Sequence, residues 1–200
     1  MTKERCIARW SAIAAASVVA LQASPAGSQT PSVQPASDGL LFSLSFDNGF
    51  VAERAAGAPD PIFAGGVQLN TTGATGNAIT TGESTGLAWG APGNIYAERG
   101  LVSFFWRPDQ PVTTTPFPIF RVGYADHSSW DMAWLRIDWN GSGYDAFVTD
   151  TNLGRTRISF KKTATPDAKA WTHVAFGWDE RTGVKLWIDE IGRASCRERV

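Results

Sequence analysis

The stretch from Trp171 to Asp189 alternates apolar and polar residues over two short runs. One face of these runs carries Thr172, Val174, Phe176 and Trp178, followed by Val184, Leu186 and Ile188. A period of two is typical of β-strands that bury one face. The residues between the runs, D-E-R-T-G, end on Gly183, which adopts positive φ at little cost. The pattern predicts a β-hairpin in a sheet with one buried side.

Short apolar runs separated by Gly, Pro, Thr and Asn continue upstream of this hairpin. Such spacing is typical of an antiparallel β-sandwich, in which large aromatic side chains fill the space between the sheets. Between the N-terminal region and the hairpin, only Val51–Ala58 suggests a helix, and Gly57 and Pro59 end it early. The predicted strands are 40–46, 65–69, 78–80, 86–89, 94–98, 100–107, 117–123, 132–139, 142–149, 155–161, 171–178 and 184–189.

Three segments follow one another in a recognisable order: L-L-F-S-L-S-F-D at 40–47, R-G-L-V-S-F-F-W-R-P at 99–108, and W-T-H-V-A at 171–175 with its hairpin partner. In this order they resemble strands of the laminin-G-like, concanavalin-A-like jelly-roll family, and the resemblance covers residues 40–189. Leu101 stands where the family usually has Thr, and Phe105 where it usually has Trp. The resemblance implies an all-β, antiparallel β-sandwich with jelly-roll topology. It implies no single function, because this fold carries lectins, adhesion modules and glycanases.

The N-terminal residues 1–28 resemble a secretory signal peptide. A basic start is followed by an uncharged, Ala-rich run from Trp10 to Leu21 and then by small residues suited to cleavage. The alternative is a retained N-terminal anchor, although the run is short for a membrane span. Residues 29–37 are rich in Ser, Pro and Gln and predict a spacer. We therefore expect a secreted or cell-surface protein with no membrane association after cleavage.

The C-terminal residues 190–200, E-I-G-R-A-S-C-R-E-R-V, break the strand pattern and resemble a translated sequencing adapter. The alternative is a charged helical tail. On the adapter interpretation the domain at 38–189 is a jelly roll that is incomplete at its C-terminus. We would then expect an unfilled sheet edge or an exposed apolar face near Val184–Ile188, and poor packing of the tail.

Charge and cysteine content narrow the classes of partner. Between Gln29 and Asp189 there are twelve Lys and Arg against sixteen Asp and Glu, a net charge of −4. A mildly acidic domain without a basic cluster in its sequence argues against nucleic acid and anionic membranes. The two cysteines, Cys6 and Cys196, lie in the predicted signal and the tail. A native disulfide is therefore not expected, and stability depends on core burial.

Catalytic motifs are not evident in the sequence. Retaining glycanases need two carboxylates close together, and the related enzymes place them in a strand motif resembling E-x-D-x-x-E, which this chain lacks. His173 is interpreted as a structural residue bonded between strands, and His127 lies in a polar loop without a paired nucleophile motif. We assign no catalytic residue.

One strand pair offers a candidate ligand-binding face. Asn140-Gly141 is a strong signal for a two-residue hairpin turn, with Arg136 opposite Asp145. The predicted binding residues on one face of this hairpin are Trp134, Arg136, Asp138 and Asp145. An aromatic ring there could stack on a sugar while the charged groups bond its hydroxyls. The alternative is that this face is buried packing, and Trp89 and Trp130 are other candidate platforms.

Calcium is the one cofactor that the family resemblance suggests, with Asp47 at the end of the first strand as its ligand. Carboxylate oxygens suit calcium, although an Asx turn at Asp47 is an equally simple interpretation. Overall, we expect a non-catalytic extracellular module that binds a glycan or a cell-surface partner. The alternatives are a glycanase relative, an accessory domain of a larger enzyme, or a structural adhesion module.

Overall fold

The computed structural model describes residues 39–82, 85–123, 133–161 and 165–189, and the backbone of 12–19 and 191–193. These ranges contain β-strands and no helix, so none of their segments is a helix able to span a membrane. The strands are β1 Ala12–Val19, β2 Phe42–Ser43, β3 Arg54–Ala55, β4 Pro61–Gly65, β5 Gln68–Asn70, β6 Ala78–Thr81, β7 Gly86–Trp89, β8 Arg99–Pro108, β9 Phe117–Gly123, β10 Ala133–Trp139, β11 Gly143–Thr149, β12 Arg155–Lys161, β13 Thr172–Asp179, β14 Gly183–Ile188 and β15 Ile191–Arg193.

The strands form two large antiparallel sheets and a small ribbon. The nine-stranded sheet runs β15-β14-β13-β8-β1-β2-β3, with β6 also paired to β1 and β5 paired to β6. The second sheet has four strands in the order β12-β11-β10-β9, and β4 pairs with β7. This architecture confirms the predicted all-β antiparallel β-sandwich.

The core lies between the two large sheets and is strongly aromatic. Trp106 of β8 meets Phe117 and Tyr144 of the smaller sheet edge to face, with ring centroids 6.0 and 6.1 Å apart. Phe104 stacks on Phe120 at 5.6 Å. Each such ring pair adds about 0.5–1.5 kcal/mol beyond the area it buries. The inner positions of β13 and β14 contribute Val174, Phe176, Trp178, Val184, Leu186 and Ile188, all buried.

The β13–β14 hairpin is confirmed. Trp178 pairs with Val184 and Asp179 with Gly183. Gly183 adopts a φ of 91°, as the turn requires. Backbone N–H groups of Thr182 and Arg181 donate to the Asp179 carboxylate and lower its pKa.

Several predicted segments differ from the structure. The predicted strand 40–46 is a strand only at β2, and a bend with positive φ at Gly66 divides the predicted strand 65–69 between β4 and β5. The helical candidate 51–58 contains strand β3, which pairs with β2. The predicted strand 94–98 begins instead in a turn, where the N–H of Asn94 donates to the carbonyl of Ala91. The Asn94 side chain is buried and accepts from the N–H of Gly57 while donating to the carbonyls of Ala58 and Gly90. Two long-range hydrogen bonds and one local bond to the same amide outweigh the weak local preference for strand.

The predicted two-residue turn at Asn140-Gly141 is also wrong. Trp139 pairs with Tyr144 and the N–H of Asn140 donates to the carbonyl of Gly143, so the two residues of the turn are Gly141 and Ser142, one position further along the chain. A type I′ turn needs positive φ at both central positions, but only Gly141 has it, at 95°. A turn over Gly141-Ser142 needs positive φ only at its first position, which Gly141 supplies, and the Asn140 side chain accepts a hydrogen bond from the N–H of Ser142. The register moves by two residues, which leaves every side chain on its predicted face.

The C-terminal edge of the large sheet differs from expectation. Strand β15 covers the edge of β14, and Val184, Leu186 and Ile188 are 0–2% exposed, so the expected apolar exposure there is wrong. The rest of the tail, the spacer 29–37 and most of residues 1–28 lie outside the described residues. Within the predicted signal, however, Ala12–Val19 pairs as strand β1 in the middle of the large sheet.

We predict that Gly100→Ala destabilises the fold by about 1–3 kcal/mol, the usual cost of overpacking a core. A Cβ at Gly100 would overlap the Trp178 indole, and that ring is held by a hydrogen bond to the carbonyl of Tyr96. Gly90→Ala is the control, because a Cβ there meets nothing within 4 Å. Urea unfolding of both variants measures the difference, and equal midpoints would contradict this account of the packing.

Candidate ligand-binding face

The outer face of the four-stranded sheet is strongly charged. Alternation along β9–β12 turns one set of side chains away from the core, and the register places them in rows across the sheet. Arg121 pairs with Arg136, Arg136 with Phe147, and Phe147 with Arg157. We call this surface the arginine face; its members are Arg121, Arg136, Asp138, Asp145, Phe147, Arg155, Arg157 and Lys161.

Phe147 is the centre of the arginine face. Its side chain is fully buried although it points away from the core. Three guanidinium groups cover it, with their Cζ atoms 4.7 Å (Arg155), 5.4 Å (Arg136) and 5.4 Å (Arg157) from the ring centroid. These distances lie within the range of cation–π attraction, about 6 Å. One aromatic ring therefore gathers three positive charges from strands β10 and β12.

Two carboxylates lie beside this cluster. Asp138 and Asp145 are directly opposite each other on β10 and β11. Arg136 forms an ion pair with Asp138 at 2.8 Å, and the Asn140 amide donates to Asp145 at 2.9 Å. These contacts offset the repulsion that two facing carboxylates would otherwise produce. Burial raises the pKa of Asp138, although its bond to Arg136 acts in the opposite direction.

Three of the four predicted binding residues come together on this face. Arg136, Asp138 and Asp145 lie side by side, as the alternation of the hairpin indicates. Trp134 behaves differently: its ring packs edge to face on Trp178 of the other sheet, with centroids 5.5 Å apart. Trp134 thus joins the rim of the core as a partly buried side chain, and its role in binding stays a prediction, whereas the covered Phe147 offers no open platform for a sugar ring.

Sequence reasoning missed the remaining cations of this face. Arg155 and Arg157 stand two residues apart on the exposed side of β12, and Arg121 comes from β9. These residues are scattered in the sequence, so no basic cluster was evident there. The folded molecule does have a cluster of cationic side chains, so the expectation that it has none is wrong. The alternation R-T-R-I-S-F-K at 155–161 places Arg155, Arg157 and Lys161 on one strand face and was the available signal.

The large sheet carries a second polar group, on its outer side. Ser103 and His173 lie 2.8 Å apart, between the Ser103 hydroxyl and the ring Nε2. This confirms the interpretation of His173 as bonded between strands. The Asp189 carboxylate accepts from the backbone N–H of His173, which ties the two ends of the β13–β14 hairpin together. His127 and Trp130 lie outside the described residues.

Asp47 serves as a loop clamp. Its Oδ1 atom accepts a hydrogen bond from the backbone N–H of Asn77 at 2.8 Å, and its carboxylate lies against Gly76. Within the described part of the chain, no three acidic, His or Cys residues cluster as metal ligands, whereas calcium takes six to eight oxygens. Calcium binding at Asp47 stays a prediction. Trp89 is packed, since its indole donates to the carbonyl of Phe50 and its ring meets Phe42.

We predict that Trp134→Ala destabilises the protein by about 2–4 kcal/mol, somewhat less than the loss of a fully buried tryptophan. The substitution removes the ring that packs on Trp178. Trp134→Phe retains an aromatic contact and should lose less. Denaturant unfolding measures both. A Trp134→Ala variant that keeps its stability but loses ligand binding would instead make Trp134 a binding residue.

Comparison with protein-family models, with curated proteins and with solved structures found no match. The fold is an all-β antiparallel sandwich on the evidence of its own strand pairing. The laminin-G-like and jelly-roll assignments stay predictions from the three strand motifs.

Proposed function

We propose that this protein is a non-catalytic extracellular recognition module, and that the arginine face binds an acidic glycan, one carrying carboxylate or sulfate groups. The observation that carries the proposal is the set of three guanidinium groups within 5.4 Å of the Phe147 ring. The resemblance of three strand motifs to laminin-G-like domains and the signal-like N-terminus support an extracellular role.

Guanidinium groups suit this ligand for a geometric reason. A guanidinium presents several N–H donors in one plane and pairs with a carboxylate or sulfate through two of them at once. Arg155 and Arg157 are exposed and project from adjacent outward positions of one strand. Two outward positions on a strand are about 6.6 Å apart along the backbone, so the pair can reach neighbouring anionic groups of a polymer.

The carboxylates of the face add selectivity for a hydroxylated ligand. Asp138 and Asp145 are held by Arg136 and Asn140 in fixed positions and accept hydrogen bonds. Sugar hydroxyls can donate to them, whereas an anion without hydroxyls gains nothing from them and is repelled. A polyanion rich in hydroxyls therefore fits better than a simple inorganic anion.

The acidic character of the remaining domain favours one mode of approach. The arginine face has five of the twelve Lys and Arg between residues 29 and 189, but only two of the sixteen Asp and Glu. The charged residues outside the face are mostly acidic, so we expect a polyanion to approach this face in preference to the rest of the domain. A second polyanion class, nucleic acid, is the natural competitor in the test.

We predict that the double variant Arg155→Gln, Arg157→Gln binds a sulfated polysaccharide at least tenfold more weakly, because each charge-assisted bond contributes about 1.5–3 kcal/mol. Arg181→Gln is the matched control, since Arg181 lies exposed in the β13–β14 turn, away from the face. Titration calorimetry at two salt concentrations measures affinity. Unchanged binding by the double variant would refute the proposal, and so would equal affinity of the parent protein for a neutral polysaccharide. If the parent protein binds DNA of equal charge more tightly than the glycan, the ligand is a nucleic acid instead.

We predict that binding of a sulfated glycan tightens as the pH falls through the pKa of Asp138. The pKa of this group is raised, so it takes up a proton at a higher pH than an ordinary aspartate. Protonation removes a negative charge from the face and frees Arg136 for the ligand. Sulfate stays ionised, so the ligand does not contribute to the change. Asp138→Asn should bind more tightly at neutral pH with a flatter pH profile, and a profile as steep as that of the parent protein would contradict this role.

A further inference from the structure

Strand β1 lies at a junction in the nine-stranded sheet. On one edge it pairs with β8 over its whole length, from Ala12 opposite Pro108 to Val19 opposite Leu101. Its other edge is shared between β6, which pairs with Ala12–Ala14, and β2, which pairs with Ser17 and Val18. Among the described strands, β2, β3, β5 and β6 join the rest of this sheet only through β1.

The neighbours of β1 belong to the protein core. The register places β1 opposite Val102, Phe104 and Trp106 of β8, which are all buried. A cleft of about 200 Å³ lies in the same region, lined by Ser103, Phe104 and Phe105 on one side and by Leu44 and Ser45 on the other. Because β1 pairs with β8 on one edge and with β2 on the other, one strand fits between β8 and β2, and every second residue of β8 along this space belongs to the core.

This strand comes from the segment that the sequence marks for removal. Residues 1–28 resemble a secretory signal, and β1 reads A-I-A-A-A-S-V-V without a charge. Its removal would leave the N–H and C=O groups on one edge of β8 without partners in the middle of a sheet. Unpaired backbone groups beside a buried core are costly, and an open strand edge pairs readily with another strand.

We propose that the space between β8 and β2 is a strand-acceptor site. Ala12–Val19 occupies it here, and an extended, uncharged peptide strand from another polypeptide binds there, antiparallel to β8, when that segment has left. Backbone hydrogen bonds to β8 would supply the affinity, as in other cases of strand addition. The positions opposite Trp106, Phe104 and Val102 are Ala14, Ala16 and Val18, so a matching peptide has small or β-branched residues there.

A disulfide trap tests the occupancy of the site in the full-length chain. Ser17 and Ser103 are register partners, so the double variant Ser17→Cys, Ser103→Cys should form an intramolecular disulfide. The native cysteines Cys6 and Cys196 are replaced by Ser in this background. The control, Ser17→Cys with Ser159→Cys, places the second thiol in the other sheet and should not cross-link. Failure of the first pair to cross-link would overturn the placement of β1.

An exchange experiment tests the acceptor property. A specific protease site is inserted in the 29–37 spacer of the full-length chain, and the folded protein is cut there. We expect the N-terminal fragment to co-elute with the domain and to be displaced by a fluorescent peptide of residues 12–19. A peptide with proline at both Ala15 and Ala16 should bind at least about tenfold more weakly. Of two adjacent strand residues, one directs its backbone N–H toward β8, and proline has no N–H to donate.

The disulfide-locked variant is the matched control, because its site is permanently filled. It should exclude the fluorescent peptide. Binding of the peptide to the locked form would overturn the proposal. The proposal would also be overturned if the fragment separates from the domain, the domain stays folded by near-ultraviolet circular dichroism, and the domain does not bind the peptide.

Discussion

The alternation along β8 is the constraint on which the rest of the molecule depends. Its inward residues Val102, Phe104 and Trp106 are almost wholly buried, and Phe104 and Trp106 contact aromatic rings of the opposite sheet. Its two edges hold β13 and β1, so the same strand organises both the sheet and the core. Because side chains alternate strictly, fixing the inward set of one strand fixes the outward set of its neighbours. The charged outer faces follow from the packing of the core.

The charged face of the smaller sheet illustrates how an apolar residue can organise polar ones. Phe147 stands at an outward position, where an aromatic ring would ordinarily be exposed to water. Three arginines cover it, and each gains attraction to the ring. A ring in this position sets the spacing of the guanidinium groups more firmly than salt bridges between flexible side chains could.

The sequence predicted the fold class, the β13–β14 hairpin and the faces of β10 and β11, because these follow from a period of two. It failed where tertiary contacts decide. The buried amide of Asn94 replaces a strand by a turn, and the turn expected at Asn140-Gly141 lies one position further along, at Gly141-Ser142. Arg136, Asp138 and Asp145 were found because they share one hairpin. Arg155 and Arg157 were missed because their relation to Phe147 depends on the pairing of β11 with β12. The contact of Trp134 with Trp178 could not be read from the sequence, because the two residues belong to different sheets.

The uneven distribution of charge also has a kinetic consequence. A domain of net negative charge with one cationic side has a large electric dipole, which turns the molecule in the field of a polyanion before contact. Encounters would then begin in the productive orientation, and the association rate would fall as added salt shortens the reach of that field to a few ångströms. The dissociation rate depends on short contacts at the surface and should respond much less. Ionic strength would thus mainly change how quickly a polyanion captures such a protein from dilute solution. It would have less effect on how long the protein stays bound.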